Sequence, residues 1–405
     1  MAEPRGALPF QGSAYAATLP PAHGVRVQQE ADPAPRLNLV LPHGFSNHAF
    51  GGVLSALAIG RELSRRYPAF RLVFEHAFIP GEPTFSPQDW CLGDARGSAS
   101  RHSLAEGPLA CHQREIFCCT WWTTTLLWEA YAEAMTAQGL PASPFYYCIQ
   151  DFEPGFYQFG SNYMACLASY RHGEHCCALF NSRELARYFQ GQGLGFRRSV
   201  VLQPSLNPVL RARLDGMQWT VRKAASPLVL CIYGRPEQPR NCFAAIVEGL
   251  RRYVDGLDPA AREGLVLASL GRPHEDLLLA PGAVLRSLGR LSLEAYAAFL
   301  AGAHVGVAMM ATPHPSYPPL EMAAFGLEVL TNRFPGKDLS TSHPQLHSVE
   351  TPTAASIAAA LPALVERARA RAGQAWPAQV PACLSQESWA RNLRGAAIPH
   401  LEPSC

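Results

Sequence analysis

The chain has 405 residues, 48% of them apolar and 16% charged, with a formal net charge of +2. That length exceeds what one hydrophobic core usually organises, which predicts two domains. The near balance of charge excludes the strong basic excess that a nucleic-acid partner normally requires. No apolar run approaches the roughly 20 residues of a membrane span, and the first residues lack an apolar signal-peptide core, so a cytoplasmic protein is expected. The 12 cysteines fall singly or as adjacent pairs (Cys118/Cys119, Cys176/Cys177) without C-x2-C spacing. They read as buried thiols in a reducing compartment, as do Cys176 and Cys177 beside His172 and His175.

Residues 1–35 are rich in Pro, Ala and Gly without periodicity and predict a loose arm. Leu37 to Leu41 reads as the first strand, followed by a loop carrying His43, His48, Gly51 and Gly52. An amphipathic helix comes next, with Val53, Leu54, Leu57, Ala58 and Leu63 on one side, and Leu72 to Phe74 is the next strand. Phe145 to Ile149 is an apolar strand running into the polar turn Gln150–Phe156. Cys177 to Phe180 leads to Asn181-Ser182, a cap for a helix over 183–189, and Val200 to Leu202 closes a first domain of residues 36–206. Residues 207–226 read as a polar linker. The second domain, 227–385, opens on Leu228 to Tyr233, an unbroken apolar strand of the kind covered on both faces of a parallel sheet. Gly234-Arg235-Pro236 makes its turn, and Asn241 stands where it could cap a helix bearing Phe243, Ile246, Val247 and Leu250. Further strands are expected at 265–268, 284–285, 305–308 and 329–330, and residues 386–405 predict a helix returning to the first domain. The fold class is thus α/β, with two Rossmann-like domains facing each other across a cleft that binds ligand at the carboxyl ends of the strands.

The most specific segment for chemistry is Thr312 to Gly326. Pro318 and Pro319 suit a helix start and Gly326 its end. Tyr317 and Glu321, four residues apart, can face one ligand, and the helix start attracts a diphosphate. Glu321 reads either as an acceptor for sugar hydroxyls or as a complement to the helix dipole. Arg235, Arg240 and Arg290 stand at predicted strand ends, where guanidinium groups can stabilise a departing diphosphate without a metal. Asp151 and Glu153 have the D-x-D spacing of metal-binding carboxylates. The paired Rossmann units favour Asp151 as a cleft residue that bonds a sugar hydroxyl or helps deprotonate an acceptor, with a turn-forming Asp as the alternative. Gly51 and Gly52 permit close backbone approach of a ligand but lack the G-x-G-x-x-G spacing of a nicotinamide site. Trp121 and Trp122 read as core. Arg61, Arg65, Arg66 and Arg71 read as a solvated face, with peripheral contact to a membrane as the second reading.

With these residues in view, the chain resembles the WsaF rhamnosyltransferase group within the retaining GT-B glycosyltransferases. The resemblance is carried by YYCIQDFEPGFYQFGS (146–161), YGRPEQPRN (233–241), LGRLSLEAY (288–296), HPSYPPLEMAAFG (314–326) and TNRFPGKDLS (331–340). It implies a GT-B fold, a nucleotide-sugar donor held mainly by the C-terminal domain, dTDP-β-L-rhamnose as that donor, no cofactor or metal, and a saccharide or lipid-linked saccharide acceptor. Arg235 and Arg290 would then contact the diphosphate, Tyr317 and Glu321 the nucleoside and its sugar ring, and Asp151 would project toward the donor sugar. One departure stands out. Glu321 matches the second member of the E-x7-E pair of retaining families, and the first falls on Pro313. Contacts to the donor sugar then have to come from His314, Ser316 or the backbone. A nucleotide-sugar epimerase or hydrolase of the same fold, and a non-enzymatic glycan or nucleotide-sugar binder, are the alternative readings.

Overall fold

The computed structural model describes residues 24–42, 51–76, 99–384 apart from 204, 219, 223, 225 and 226, and Leu393. His43 and His48 lie outside the described residues, as does all of the expected C-terminal helix except Leu393. The described residues form two compact units. One holds those up to Asn181 with 189–202 and Leu393, and the other holds Ser182–Tyr188 with those from Gln203 to Leu384.

In the N-terminal unit seven strands form one sheet: β1 (Arg36–Leu41), β2 (Ala69–Phe74), β3 (Ala99–Ser103), β4 (Glu115–Cys119), β5 (Phe145–Ile149), β6 (Cys176–Phe180) and β7 (Arg198–Val201). Their order is β3-β2-β1-β4-β5-β6-β7, and every pairing is parallel. This is the doubly wound order of a Rossmann sheet, whose direction of travel reverses between β1 and β4. The central strands β4, β5 and β6 are buried at every position, because helices on both faces leave no solvated side. Helix Gly51–Ser64 follows β1 as expected, and helix Arg183–Gly191, whose residues up to Tyr188 group with the other unit, is capped by Ser182, whose Oγ accepts the Leu185 N–H at 3.1 Å.

Four sequence expectations change in this frame. Val25–Val27, inside the stretch read as a loose arm, pairs in parallel with Leu109–Cys111. Arg71 is no part of a solvated face. It is buried in β2, donating to Asn38 Oδ1 at 2.7 Å and the Ala110 carbonyl at 2.8 Å, beside Glu115 at 3.6 Å. Glu115 is wholly buried, and burial alone would raise its pKa. Arg36, Arg71 and Asn38 more than reverse that and hold it below the usual carboxylate range. The linker stretch contains a helix, Pro208–Gly216, capped by Asn207, and Leu210 and Leu214 bury into the core of the C-terminal unit. Asn241 is not a helix cap. Cys242 holds that position in a left-handed conformation (φ 53°), and the Asn241 side chain turns to the carbonyl of Met309 instead.

The C-terminal unit repeats the plan with β8 (Leu228–Gly234), β9 (Leu265–Gly271), β10 (Leu277–Ala280), β11 (Ala283–Gly289), β12 (Val305–Val307), β13 (Glu328–Asn332) and β14 (Leu346–Val349). The order is β10-β11-β9-β8-β12-β13-β14, parallel throughout except for the edge hairpin β10–β11. Alternation along β8 sorts the core. Leu228, Leu230 and Ile232 pack with helices Phe243–Asp255 and Ala354–Arg371, and Cys231 packs on the opposite face with helices Pro208–Gly216, Leu293–Gly302 and Pro318–Ala324. The two units are therefore two sheet-containing α/β domains, each with the strand order of a Rossmann fold, consistent with GT-B architecture. No helix among the described residues is long and apolar enough to cross a membrane.

Candidate active site

In the C-terminal sheet the direction of travel reverses between β8 and β12, so the loops after these two strands flank the switch point where doubly wound sheets bind ligand. Those loops are tied together. The Ala311 N–H donates to the Arg240 carbonyl at 2.7 Å, and Asn241 Nδ2 donates to the Met309 carbonyl at 3.1 Å.

A repeated step supplies the cations here. The neighbouring strands β8, β9 and β11 each end in Gly-Arg: Gly234-Arg235, Gly271-Arg272 and Gly289-Arg290. Glycine is required at two of these ends for different reasons. A Cβ on Gly234 would fall 2.1 Å from Ser269 Oγ, and Gly271 has φ 125° with the Gly234 carbonyl 2.5 Å from where its Cβ would be. The chain then leaves the sheet, and the arginines follow at its carboxyl edge. Arg235 Nε and Arg272 Nε approach the same Glu237 Oε1, at 3.8 and 3.2 Å. Arg290 is exposed beyond β11. Arg272 went unrecognised in the sequence, although the G-R step that marks Arg235 and Arg290 occurs there too.

The second half of the site is the segment 310–321. Ser316 is buried with φ 66°, a conformation that costs a non-glycine residue energy. Its N–H donates to His314 Nδ1 at 2.9 Å. Burial, with the charges of Lys337 and Arg240, pushes the His314 imidazole down to about 3. Lys337 is itself buried. It follows the Pro335-Gly336 turn that β13 leads into, and its Nζ donates to the carbonyls of Met310 (2.5 Å) and His314 (3.4 Å). A cavity of about 800 Å³ opens beside it, lined by Ala311, Asn332, Phe334 and Lys337 among others. Lys337 too went unrecognised, since nothing in a lone lysine after a Pro-Gly turn announces which carbonyls the fold will bring to it.

Helix Pro318–Ala324 starts and ends where the prolines and glycine predict, with Gly326 at φ 76°. The prolines also limit it. Its first two residues have no N–H, so its start offers fewer donors to an anion than an ordinary helix. Glu321 is half-buried in its first turn. Burial raises its carboxyl to about 7, with the Tyr296 hydroxyl of the neighbouring helix pulling the other way. The His314 and Tyr317 rings lie 5.8 Å apart. The structure thus groups Arg235 with Arg272, Arg240, Lys337 and Tyr317 with His314, and Glu321 with Tyr296.

In the N-terminal unit Asp151 lies just past the end of β5, buried, with Oδ1 accepting the N–H of Phe152 at 2.9 Å. Glu153 does not join it as a metal-ligand pair. Its Oε2 accepts the Trp122 N–H at 2.7 Å and the Tyr147 hydroxyl at 3.1 Å, and burial raises its pKa well above the usual range. Gly51 and Gly52 begin helix Gly51–Ser64. Gly52 is close-packed by Gln150, whose Oε1 would sit 2.3 Å from a Cβ there, and Gln150 Nε2 donates to the Gly52 carbonyl at 3.0 Å. Trp122 is buried as expected, while half-buried Trp121 stacks on Phe156 at 5.7 Å. His172 bonds Glu129 at 2.9 Å. Among the described residues no group of three or more His, Cys, Asp or Glu is placed to share one ion.

Residues 36–183 match the family described as WsaF, N-terminal domain, and residues 228–362 match WsaF, C-terminal domain. The O-antigen biosynthesis protein RfbC of Myxococcus xanthus is 29% identical over 228 residues, 56% of this chain and 17% of that protein. This chain therefore spans only a small part of that relative. Among solved structures it is similar to sucrose-phosphate synthase from Thermosynechococcus elongatus (TM-score 0.53, 12% identity, covering 89% of this chain and 94% of that one). It is also similar to Anabaena HepE in complex with UDP and glucose (TM-score 0.51, 10% identity, covering 90% and 94%). At these identities the structural likeness speaks to the fold.

Proposed function

Because the chain is a GT-B-fold glycosyltransferase related to the WsaF-domain proteins, we propose that it transfers a deoxyhexose, L-rhamnose from dTDP-β-L-rhamnose, to a saccharide or lipid-linked saccharide acceptor in surface-polysaccharide synthesis. The observation that carries the nucleotide-sugar reading is the carboxyl edge of the C-terminal sheet. There, three Gly-Arg steps and the Arg240, His314 and Lys337 group surround the switch point, with Glu321 close by in sequence on its own helix. Fixed guanidinium groups suit a diphosphate leaving group, and a carboxylate beside them suits sugar hydroxyls. The choice of rhamnose draws on the family relation and on the O-antigen role named for the Myxococcus relative.

In the proposed reaction the anomeric C–O bond breaks and its electron pair leaves with the diphosphate, held by Arg235, Arg272 and Arg290. The acceptor hydroxyl oxygen bonds to the anomeric carbon, and its proton passes to the departing phosphate oxygen, giving retention. Asp151 orients the acceptor or donor sugar. Product with inverted configuration would instead make Asp151 the general base.

Incubating the protein with a panel of nucleotide sugars, with and without rhamnose-terminated acceptors, tests this. Acceptor-dependent loss of dTDP-rhamnose with a rhamnosylated product is expected. Donor consumed without acceptor would make the protein an epimerase or hydrolase, and binding without turnover would make it a binder. Transfer from another nucleotide sugar alone would replace rhamnose.

A further inference from the structure

We propose that His314 binds the diphosphate of the donor as a neutral hydrogen-bond donor through Nε2–H. The inference rests on the nucleotide-sugar reading above and names the atom, tautomer and ligand group at one position of that site.

The tautomer follows from geometry. The Ser316 N–H can only donate, so His314 Nδ1, 2.9 Å away, accepts. A neutral imidazole with an accepting Nδ1 carries its proton on Nε2. Ser316, buried in the turn with φ 66°, holds this N–H against the ring two positions earlier. The residue keeps some exposure, and among the described residues the hydrogen bond given to the ring is that at Nδ1, which leaves Nε2–H for a ligand.

The charge state follows from the surroundings. Lys337, from the loop after β13, places its ammonium 3.4 Å from the His314 carbonyl. Arg240, from the loop after β8, bears on the same ring. Two cations and burial keep the imidazole neutral across the physiological range. The same positive field decides between ligand groups. A neutral N–H in that positive field favours an anionic oxygen over a sugar hydroxyl, and the diphosphate is the anionic part of a nucleotide sugar. His314 would therefore add a directional bond where a third charge would be repelled.

The test compares wild type, His314→Gln and His314→Phe for binding of dTDP and UDP by calorimetry, with thermal unfolding as the folding control. It also records imidazole nitrogen NMR spectra, assigning His314 by its absence in His314→Gln. A proton on Nε2 is expected, unchanged from about pH 5 to about pH 8. His314→Phe should weaken the bound diphosphate by about tenfold or more, as expected for a bond to a charged oxygen. His314→Gln, which keeps an N–H donor, should restore most of that loss. A proton on Nδ1, titration inside that range, or diphosphate affinity unchanged in a folded His314→Phe protein would each overturn the inference, even with wild-type binding intact. If wild type binds neither nucleotide, the nucleotide-sugar reading fails and takes the ligand assignment with it, while the tautomer is still decided by the spectra.

Discussion

The main-chain N–H of Ala311 donates to the carbonyl of Arg240 at 2.7 Å, so the loops after β8 and β12 are held together at the switch point before any ligand arrives. Beside this bond the buried Asn241 side chain donates to the Met309 carbonyl. The Asn241 amide is thus one of the ties that hold the loops carrying Arg240 and His314. Replacing Asn241 with Ala should cost about 1 to 3 kcal/mol, the usual penalty for stranding a buried backbone carbonyl. It should also raise the donor KM more than it lowers kcat, because both loops carry the proposed donor-binding groups. Urea unfolding together with steady-state kinetics measures the two effects, and a stability loss without any change in KM would separate the loop tie from the site.

Burial of Glu321 predicts a pH dependence at the candidate site. Its folded carboxyl is raised from 4.5 to about 7, so the folded protein binds that proton more tightly than the unfolded chain. Burial therefore costs nothing below the unfolded pKa. The cost grows as pH rises between the two values and is constant above the folded one. At about pH 8 the Glu321→Gln protein should be more stable than wild type by up to about 3 kcal/mol, and at about pH 4 the two should coincide. Function should run the other way. If the ionised carboxylate accepts sugar hydroxyls, the wild-type donor KM falls as pH rises through about 7, whereas that of Glu321→Gln stays flat. Parallel profiles for the two proteins would remove Glu321 from donor binding.

Much of the fold was legible in the sequence because the strands of a sheet covered on both faces are unbroken apolar runs. Phe145–Ile149 and Leu228–Gly234 stand out on that account. Strands of mixed character did not stand out. Ala99–Ser103 is polar and sits at a sheet edge, and Leu346–Val349 carries His347 and Ser348 at the other sheet's edge. The Pro208–Gly216 helix was hidden by its arginines, since only Leu210 and Leu214 reach the core. In the candidate site, the residues that turn or helix-start signals mark in the sequence are Arg235, Tyr317 and Glu321 among others. Lys337 is not so marked, because its role depends on β13 lying beside β12, a relationship set by the whole sheet.

Glu237 offers a direct probe of the arginine edge. Its Oε1 lies within ion-pair range of both Arg235 and Arg272, and all three side chains are partly exposed. Exposed pairs of this kind contribute at most about 1 kcal/mol to stability, so Glu237→Gln should leave the thermal midpoint nearly unchanged. Its carboxylate nonetheless neutralises part of the charge that a diphosphate would meet. Removing it should tighten binding of dTDP several-fold and steepen the loss of affinity with added salt. Arg272→Ala should do the reverse, and in the double variant the two effects should fail to add, because each acts through the other's partner. Strictly additive changes would mean that Arg272 and Glu237 act on the nucleotide separately, and no change in either single variant would confine diphosphate binding to Arg235, Arg290 and the His314 group.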